Sequence, residues 1–358
     1  MSAPVLIVAG GTGGHVFPAL ATARVLMERD VPVVWLGTPA GLEADVVPAA
    51  GIRLEKVTVR GLRGNGWLGW LQAPLMVMRA LWQAIGVIRR ERPRVVLGMG
   101  GYVAGPAGLA AWLLRCPLVI HEQNAIPGMT NKLLSPLARS VLTGLDAQLA
   151  TAEKRRFIGN PIRAEIARLP APHDRYAGRE GPIRLLVVGG SLGARTLNQR
   201  VPEALARVPV DQRPIVRHQA GARTLQMAID AYAEAGVQAD VQEFIEDMAE
   251  AYQWCDLVVC RAGALTVSEL AAAGVPAILV PYPYAVDDHQ SANADYLCRA
   301  GGAEQRRDEA LSADWLAGRL QALASDRTRL QAMAEASRAA GRPDAAGQVA
   351  EHCLEVAA

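Results

Sequence analysis

Cysteine is scarce in this sequence. Five occur in 358 residues, at 116, 255, 260, 298 and 353. No pair has the C-x-x-C spacing of a zinc ribbon, and the set is too sparse for a disulfide scaffold, so a reducing compartment fits best. Aromatics are also few, at 5%. No Lys/Arg-rich block is interleaved with stacking rings, which argues against nucleic acid as a partner. The first residues, Met1-Ser2-Ala3-Pro4-Val5, lack the basic region and apolar stretch of a secretory signal. The charge-free window 95–114 is long enough to suggest a membrane span, yet it holds five glycines and Pro106. It reads instead as strand, loop and helix. No H-x-x-H or H-E-x-x-H spacing occurs, so no metal site is expected. These absences predict a cytoplasmic protein with buried cores.

What is present points to two domains, at roughly 100–200 residues each. Apolar residues make up 51% and charged residues 20%, enough for two cores. The net charge of +2 is unevenly divided. Residues 1–160 carry 17 Lys and Arg against 9 Asp and Glu, a net of +8, and residues 161–358 carry 20 against 26, a net of −6. The first half therefore suits an anionic partner.

Short β-branched runs alternate with helical stretches. Strands are expected at 5–9, 33–36, 57–59, 95–98 and 118–121, and again at 184–188, 215–218, 241–244, 257–260 and 277–280. Continuous apolar runs beside glycines mean strands buried on both faces, hence α/β architecture with parallel sheets wrapped by helices. Leu6-Ile7-Val8-Ala9-Gly10-Gly11-Thr12-Gly13-Gly14-His15 aligns with Leu185-Leu186-Val187-Val188-Gly189-Gly190-Ser191-Leu192-Gly193-Ala194. Each copy opens a strand–glycine loop–helix unit, so two Rossmann-like domains facing one another across a cleft are predicted. The boundaries fall at 1–160 and 161–342, with a helix within 343–358 packing back on the first domain. The segment 169–174 reads as a surface connection.

A strand followed by a small-residue loop and a helix start exposes N–H groups and a partial positive charge, which suits phosphate. Neither loop completes G-x-G-x-x-G, and no acid follows the second strand of either half, which disfavours a nicotinamide site. His15 follows the first loop, whereas Ala194 follows the second. The first loop is thus read as chemical and the second as ligand-holding, because imidazole suits proton transfer near neutrality. Glu122, in His121-Glu122-Gln123-Asn124 at a strand end, is a second acid/base candidate. In the stretch 261–276 the helix start at Ala264, Leu265 and Thr266 offers N–H groups to phosphate, and Glu269 suits a pair of sugar hydroxyls. A solvated Glu on a core helix is the plainer alternative. Residues 287–294 include Gln290 and suit a sugar, while Asp287 and Asp288 read as a helix cap. Near the segment 61–74, Trp67, Trp70 and Leu71 form an apolar patch rimmed by Arg63, Arg79, Arg89 and Arg90, preceding a helix whose stripe of Leu75, Met78, Leu81, Trp82, Ile85 and Ile88 reads mostly as core. The patch has the pattern of interfacial membrane binding, with packing beneath the loop as the alternative.

Gly10-Gly11-Thr12-Gly13-Gly14-His15, Gly98-Met99-Gly100-Gly101-Tyr102, His121-Glu122-Gln123-Asn124, Gly159-Asn160-Pro161-Ile162-Arg163, Gly189-Gly190-Ser191, Ala264 to Glu269 and Asp287 to Asn293 together resemble the peptidoglycan N-acetylglucosaminyltransferases. These are GT-B glycosyltransferases of family 28, and the motifs occur in family order over nearly the whole chain. The resemblance implies transfer of N-acetylglucosamine from UDP-N-acetylglucosamine to the C4 hydroxyl of lipid I, the undecaprenyl-linked muramoyl pentapeptide, giving lipid II with inversion. It implies a donor held by the second domain. Ser191 would contact the diphosphate together with Ala264, Leu265 and Thr266, and the neighbouring Val267 and Ser268 would complete the site. Backbone at Ile245 would read uracil, Glu269 the ribose, and Gln290 the N-acetylglucosamine. Asn124 and Arg163 would approach the donor from the other domain. Thr12, Gly13 and Gly14 would hold the acceptor pyrophosphate, or donor groups on closure. His15 is then the expected base, with Glu122 second and Tyr102 supporting, and no cofactor is implied. The basic first half would meet an anionic cytoplasmic leaflet, placing the protein at the inner face of the cell membrane. Leu192, His289 and Ala104 depart from residues common in the family. The competing readings are a diacylglycerol sugar transferase, a UDP-N-acetylglucosamine 2-epimerase, or a non-catalytic membrane scaffold.

Overall fold

The computed structural model describes residues 3–59, 67–190 and 193–357, and for 67–73 the backbone alone. The chain divides into two compact units, Met1–Arg163 with Pro343–Ala358, and Ala164–Arg342.

In the first unit the strands are β1 (Val5–Ala9), β2 (Val33–Gly37), β3 (Arg53–Lys56), β4 (Val95–Gly100), β5 (Leu118–Glu122), β6 (Ser140–Thr143) and β7 (Arg155–Phe157). They form one sheet in the order β3-β2-β1-β4-β5-β6-β7, parallel at every pairing. The register sets Val5 beside both Val33 and Val95. Every residue of β1 is buried, because helices cover both faces and each apolar side chain leaves water whichever way it points. The helix Ala345–Ala357 belongs to this unit. Its Val349, Ala350 and Cys353 pack with Val16, Ala19 and Ala23 of the helix Gly13–Glu28, and His352 Nε2 lies 2.8 Å from Ser140 Oγ.

The second unit repeats the plan with β8 (Arg184–Val188), β9 (Ile215–Gln219), β10 (Asp240–Gln242), β11 (Leu257–Cys260), β12 (Ala277–Leu279) and β13 (Ala303–Gln305). Their order is β10-β9-β8-β11-β12-β13, again all parallel. In each sheet the strand order reverses beside the first strand, between β1 and β4 and between β8 and β11. Open α/β sheets bind ligands beyond the carboxyl ends of strands at that point.

Several local expectations are corrected. The third strand is Arg53–Lys56 rather than 57–59, and it ends where Lys56 pairs with Gly37. Val57 and Val59 are buried just beyond the ladder. Within 169–174, Pro172 opens a short helix, Pro172–Tyr176, whose Arg175 and Tyr176 are buried. Pro170, His173 and Asp174 are exposed, and Arg175, just beyond the segment, anchors its end by donating to the carbonyls of Tyr252 and Ala273. The long helix of the first unit begins at Trp67 and runs to Glu91. Trp67, Trp70 and Leu71 therefore lie in the helix itself, not in a glycine stretch before it. Its buried face is Ala80, Leu81, Ala84, Val87 and Ile88, while Leu75, Met78 and Trp82 are exposed, Trp82 by 65%. The stripe read as core thus contains two faces. The window 95–114 is β4, a turn, and the helix Ala104–Leu113. Among the described residues no helix is long and apolar enough to cross a membrane.

Candidate active site

In the first unit the site gathers beyond β1, β4 and β5. Thr12 caps the helix Gly13–Glu28 without a side-chain bond, and no acid occupies its first turn. The first intrahelical bonds are made by His15 and Val16, both to the Thr12 carbonyl. The Gly13 and Gly14 N–H groups at the helix start therefore remain outside the helical ladder, with the positive end of the helix dipole behind them. His15 is half-buried on the first turn. The turn after β4 packs against its ring: at Gly100, φ +105°, a Cβ would come within 2.6 Å of His15 Nδ1.

The bonds around His15 determine its tautomer. Gln123 Nε2 donates to the Met99 carbonyl at 2.9 Å, and a carbonyl only accepts, so the amide is oriented. Gln123 Oε1 then faces His15 Nδ1 at 3.0 Å and must accept its proton. The Nε2 lone pair of His15 is left as the basic site. His121 completes the chain: its Nε2 donates to the Gly159 carbonyl at 2.9 Å, and its Nδ1 accepts from Gln123 Nε2 at 3.2 Å. Burial pushes the His121 pKa down to about 4, against the opposing pulls of the Gly159 bond and Glu122. A neutral His121 is what this arrangement requires. Asn160 Nδ2 donates to the Gln123 carbonyl at 3.0 Å. Gln123 was not singled out from the sequence, although a signal existed. Side chains alternate along a strand, so residues two apart share a side, which puts His121 and Gln123 together at the end of β5.

Glu122 has a different place from the one expected. It is 2% exposed. Its Oε1 accepts from the backbone N–H and the side-chain amide of Asn124, at 2.9 and 3.3 Å. Its Oε2 accepts from Gly128 N–H and Asn131 Nδ2, both at 2.9 Å. Four donors fill the carboxylate and tie residues 124–131 to the end of β5. This geometry favours a bracing role for Glu122 over the acid/base role, since four donors already engage both oxygens. Tyr102 is exposed beside the Gly100-Gly101 turn, and Arg163 is half-buried at the end of the unit.

In the second unit the described donor candidates follow β10, β11 and β12. Ser191 and Leu192 lie outside the described residues. Gly190 N–H donates to Gln219 Oε1 at 3.0 Å, and Gln219 Nε2 donates back to the Gly190 carbonyl at 3.0 Å. The helix Ala264–Ala273 starts at an uncapped Gly263 and ends at Gly274 in the left-handed conformation, φ 64°. Its first ladder bond is from Val267 N–H to the Gly263 carbonyl, so Ala264, Leu265 and Thr266 present N–H groups that suit a phosphate. Leu265, Thr266 and Ser268 are partly exposed, and Val267 is buried. Glu269 is buried, with Tyr252 Oη 3.4 Å from Oε2, so it is not the solvated Glu of the plainer alternative. Ile245 is half-buried in the loop after β10. Gln290 Oε1 accepts from Ala262 N–H and Tyr282 N–H at 3.2 and 2.9 Å, which leaves its Nε2 to donate to a ligand. Asn293 Nδ2 donates to the Ala262 carbonyl at 3.2 Å. Two side chains thus clamp the peptide that leads into the helix start. Arg261, also unforeseen, pairs with Asp308 and donates to the Val280 and Pro281 carbonyls. Asp308 in turn accepts from Thr196 Oγ1 at 2.8 Å.

The glycosyltransferase family 28 N-terminal domain matches residues 5–143, and the C-terminal domain of the same family matches residues 184–349. A protein of Alkalilimnicola ehrlichii named UDP-N-acetylglucosamine--N-acetylmuramyl-(pentapeptide) pyrophosphoryl-undecaprenol N-acetylglucosamine transferase is 63% identical, over 100% of both chains. The chain belongs to glycosyltransferase family 28. A Marinobacter nauticus protein of the same name is 53% identical over 98% of this chain and 97% of its own. The crystal structure of Acinetobacter baumannii MurG superposes with a TM-score of 0.86 at 38% identity, covering 99% of this chain and 100% of that one. The fold is accordingly the GT-B fold of family 28, with two domains of parallel sheets wrapped by helices. Among the described residues no group of three or more His, Cys, Asp or Glu is arranged to hold a metal ion.

Proposed function

We propose that this family 28 enzyme moves N-acetylglucosamine from UDP-N-acetylglucosamine to the C4 hydroxyl of undecaprenyl-pyrophosphoryl-MurNAc-pentapeptide, lipid I, giving lipid II for peptidoglycan synthesis. Relatives matched end to end at 53–63% identity carry the name of this transferase. The donor is held by the second unit. The N–H groups of Ala264, Leu265 and Thr266, with Ser191, take the diphosphate. Backbone at Ile245 takes uracil, Glu269 the ribose hydroxyls, and Gln290 Nε2 the N-acetylglucosamine. The first unit presents the acceptor, its pyrophosphate at Thr12, Gly13 and Gly14, with Tyr102 supporting His15.

His15 Nε2 removes the proton from the C4 hydroxyl as its oxygen bonds the anomeric carbon. The bond from that carbon to the UDP oxygen breaks on the opposite face, and the linkage inverts to β. The negative charge that grows on UDP is met by the helix start at Ala264. One observation carries the chemical part of this reading: His15 Nδ1–H is bonded to an oriented Gln123, so the basic lone pair of Nε2 is fixed at the glycine loop. The experiment is transfer of labelled N-acetylglucosamine to a short-chain lipid I analogue. Lipid II analogue from the native enzyme and a large loss with His15→Ala are expected. Native enzyme that makes no product, or His15→Ala that keeps native turnover, overturns the reading.

The same enzyme is proposed to sit peripherally on the inner face of the cell membrane. Leu75, Met78 and Trp82 are exposed on the helix Trp67–Glu91, Trp112 and Leu113 on its neighbour Ala104–Leu113, and Met129 and Leu133 on the next helix. Arg79, Arg115 and Lys132 are exposed among them. An apolar face with a cationic rim suits an anionic leaflet. The side chains of Trp67, Trp70 and Leu71, and all of Arg63, lie outside the described residues.

A further inference from the structure

The two glycine loops are held from below in the same way but with opposite chemistry. Gly11 and Gly190 are equivalent in the repeat. Gly11 N–H donates to Glu43 Oε2 at 3.1 Å, and Gly190 N–H donates to Gln219 Oε1 at 3.0 Å. Glu43 follows the second strand of its unit and opens the next helix, and Gln219 is the last residue of the second strand of its own. One is a carboxylate and the other an amide.

Glu43 is fully buried. Its Oε1 accepts from Thr38 N–H at 2.8 Å and Thr38 Oγ1 at 2.7 Å. Burial would raise its pKa, but bonds from the Thr38 hydroxyl, the Thr38 and Glu43 N–H groups and Gly11 N–H outweigh it and hold the carboxyl below its ordinary value. The loops leave room for this one side chain: a Cβ on Gly41 would lie 2.2 Å from Oε2, and one on Gly10 would lie 2.6 Å from Oε1. Gly10 is also the floor of the turn after β4, since a Cβ on Gly101 would lie 2.2 Å from the Gly10 carbonyl. Glu43 therefore fixes Gly10 and Gly11, the residues from which Thr12 and His15 follow. All of its partners are donors, so only an anion satisfies them.

Gln219 faces a different demand. It accepts from Gly190 N–H and donates to the carbonyls of Gly190 and Glu243, both at 3.0 Å. An amide serves both needs, whereas a carboxylate could only accept.

We infer that Glu43 is a positioning residue for the transfer reaction, acting as an anion through Gly11 on the loop that carries His15, and that Gln219 is its neutral counterpart beneath the donor loop. The inference rests on the function proposed above for the two loops. It predicts a split between substrates that general loss of stability would not give. Glu43→Gln lowers kcat/KM for the lipid I analogue at least 10-fold while the KM for UDP-N-acetylglucosamine stays within twofold. Gln219→Glu raises that KM at least 10-fold and weakens UDP binding in parallel, because a carboxylate would face the Gly190 and Glu243 carbonyls and unseat the loop. Thr38→Val, which removes one donor and leaves Glu43 in place, gives a smaller loss of the first kind, and Thr38→Ser restores native values. Amide hydrogen exchange supplies a readout that needs no turnover. Glu43→Gln speeds exchange in peptides covering 10–15 and not in those covering 189–194, and Gln219→Glu does the reverse. Unchanged exchange at 10–15 in Glu43→Gln, or equal losses for both substrates in either variant, overturns the inference. Native enzyme without transferase activity, alongside the stated exchange pattern, overturns the proposed function and leaves the loop assignment standing. If Glu43→Gln does not fold, the Thr38 pair decides the matter: equal kinetics for Thr38→Val and native enzyme refute it.

Discussion

Gln123→Leu is the most informative perturbation of the catalytic assignment, because it leaves His15 in place and removes what orients it. The amide accepts the Nδ1 proton at 3.0 Å and is itself held by the Met99 carbonyl. Leucine fills similar space and can do neither. A neutral hydrogen bond contributes about 0.5–1.5 kcal/mol, and about 1.4 kcal/mol is tenfold in rate. Turnover of Gln123→Leu is therefore expected to fall roughly 2- to 13-fold, with UDP affinity unchanged because the donor is proposed to sit in the other unit. His15→Ala removes the base itself and should cost about 10²- to 10⁴-fold. The decisive measurement is the double variant. If Gln123 acts only through His15, adding Gln123→Leu to His15→Ala costs less than about twofold more, whereas independent roles would multiply the losses. The assay is single-turnover transfer of labelled N-acetylglucosamine at saturating donor and acceptor. It is run well below the melting transition, because the leucine leaves Met99 O and His121 Nδ1 without their donor. Multiplicative losses would refute the tautomer argument, and weakened UDP binding by Gln123→Leu would refute the division of labour between units.

Four further outcomes are expected. Glu122→Gln lowers stability by about 1–3 kcal/mol, since an amide nitrogen would face buried donors, and it leaves the shape of the pH–rate profile unchanged; a displaced limb would restore Glu122 as an acid or base. Glu269→Ala weakens UDP binding at least 10-fold by calorimetry, and native affinity would remove the ribose role. Stability falls on acidification, because His121 and His218 are buried with pKa values lowered by burial to about 4 and about 3 from an ordinary 6.5. The unfolded chain takes up protons below pH 6.5 while the folded one does not, so stability is complete above that pH and drops toward pH 4. Between pH 7 and 5 each histidine costs roughly 2 kcal/mol; denaturant midpoints equal at the two pH values would contradict this. Replacing Met78 and Trp82 with Ser and Arg79 with Gln halves, or more than halves, co-sedimentation with anionic vesicles, and native sedimentation would count against the membrane face.

The architecture was legible because burial on both faces leaves a mark in the sequence. β1, β4, β8 and β11 are apolar runs next to glycines, and their parallel pairing follows. β6, β7 and β13 escaped notice for the opposite reason. Ser140–Thr143, Arg155–Phe157 and Ala303–Gln305 are three or four residues long and partly polar, and they form only as additions to a sheet already built. The helix from Trp67 was read with one apolar face because a 3.6-residue period places residues on a circle without saying which arc is covered. Leu81 and Ile88 point into the unit and Leu75 and Trp82 away from it, and tertiary packing alone separates them.

The site was legible to the extent that each residue type announces a chemistry by itself. His15 beside a glycine loop did so, and so did a small-residue helix start. What the sequence withheld is the set of groups whose meaning comes from a partner. Glu122 looks like an acid in a motif, yet four donors converge on it and favour a bracing role. Gln123 and Glu43 carry no chemistry of their own, yet the first sets which nitrogen of His15 is basic and the second fixes the loop beneath it. The conclusion about Gln123 needs the Met99 carbonyl, which lies 24 residues away along the chain, and the conclusion about Glu43 needs Gly11, 32 residues away. A hydrogen bond between distant residues has no local signature, whereas its consequence for proton position is large: turn the Gln123 amide over, and its NH2 group would face His15 Nδ1, the proton would move to Nε2, and the base would be lost.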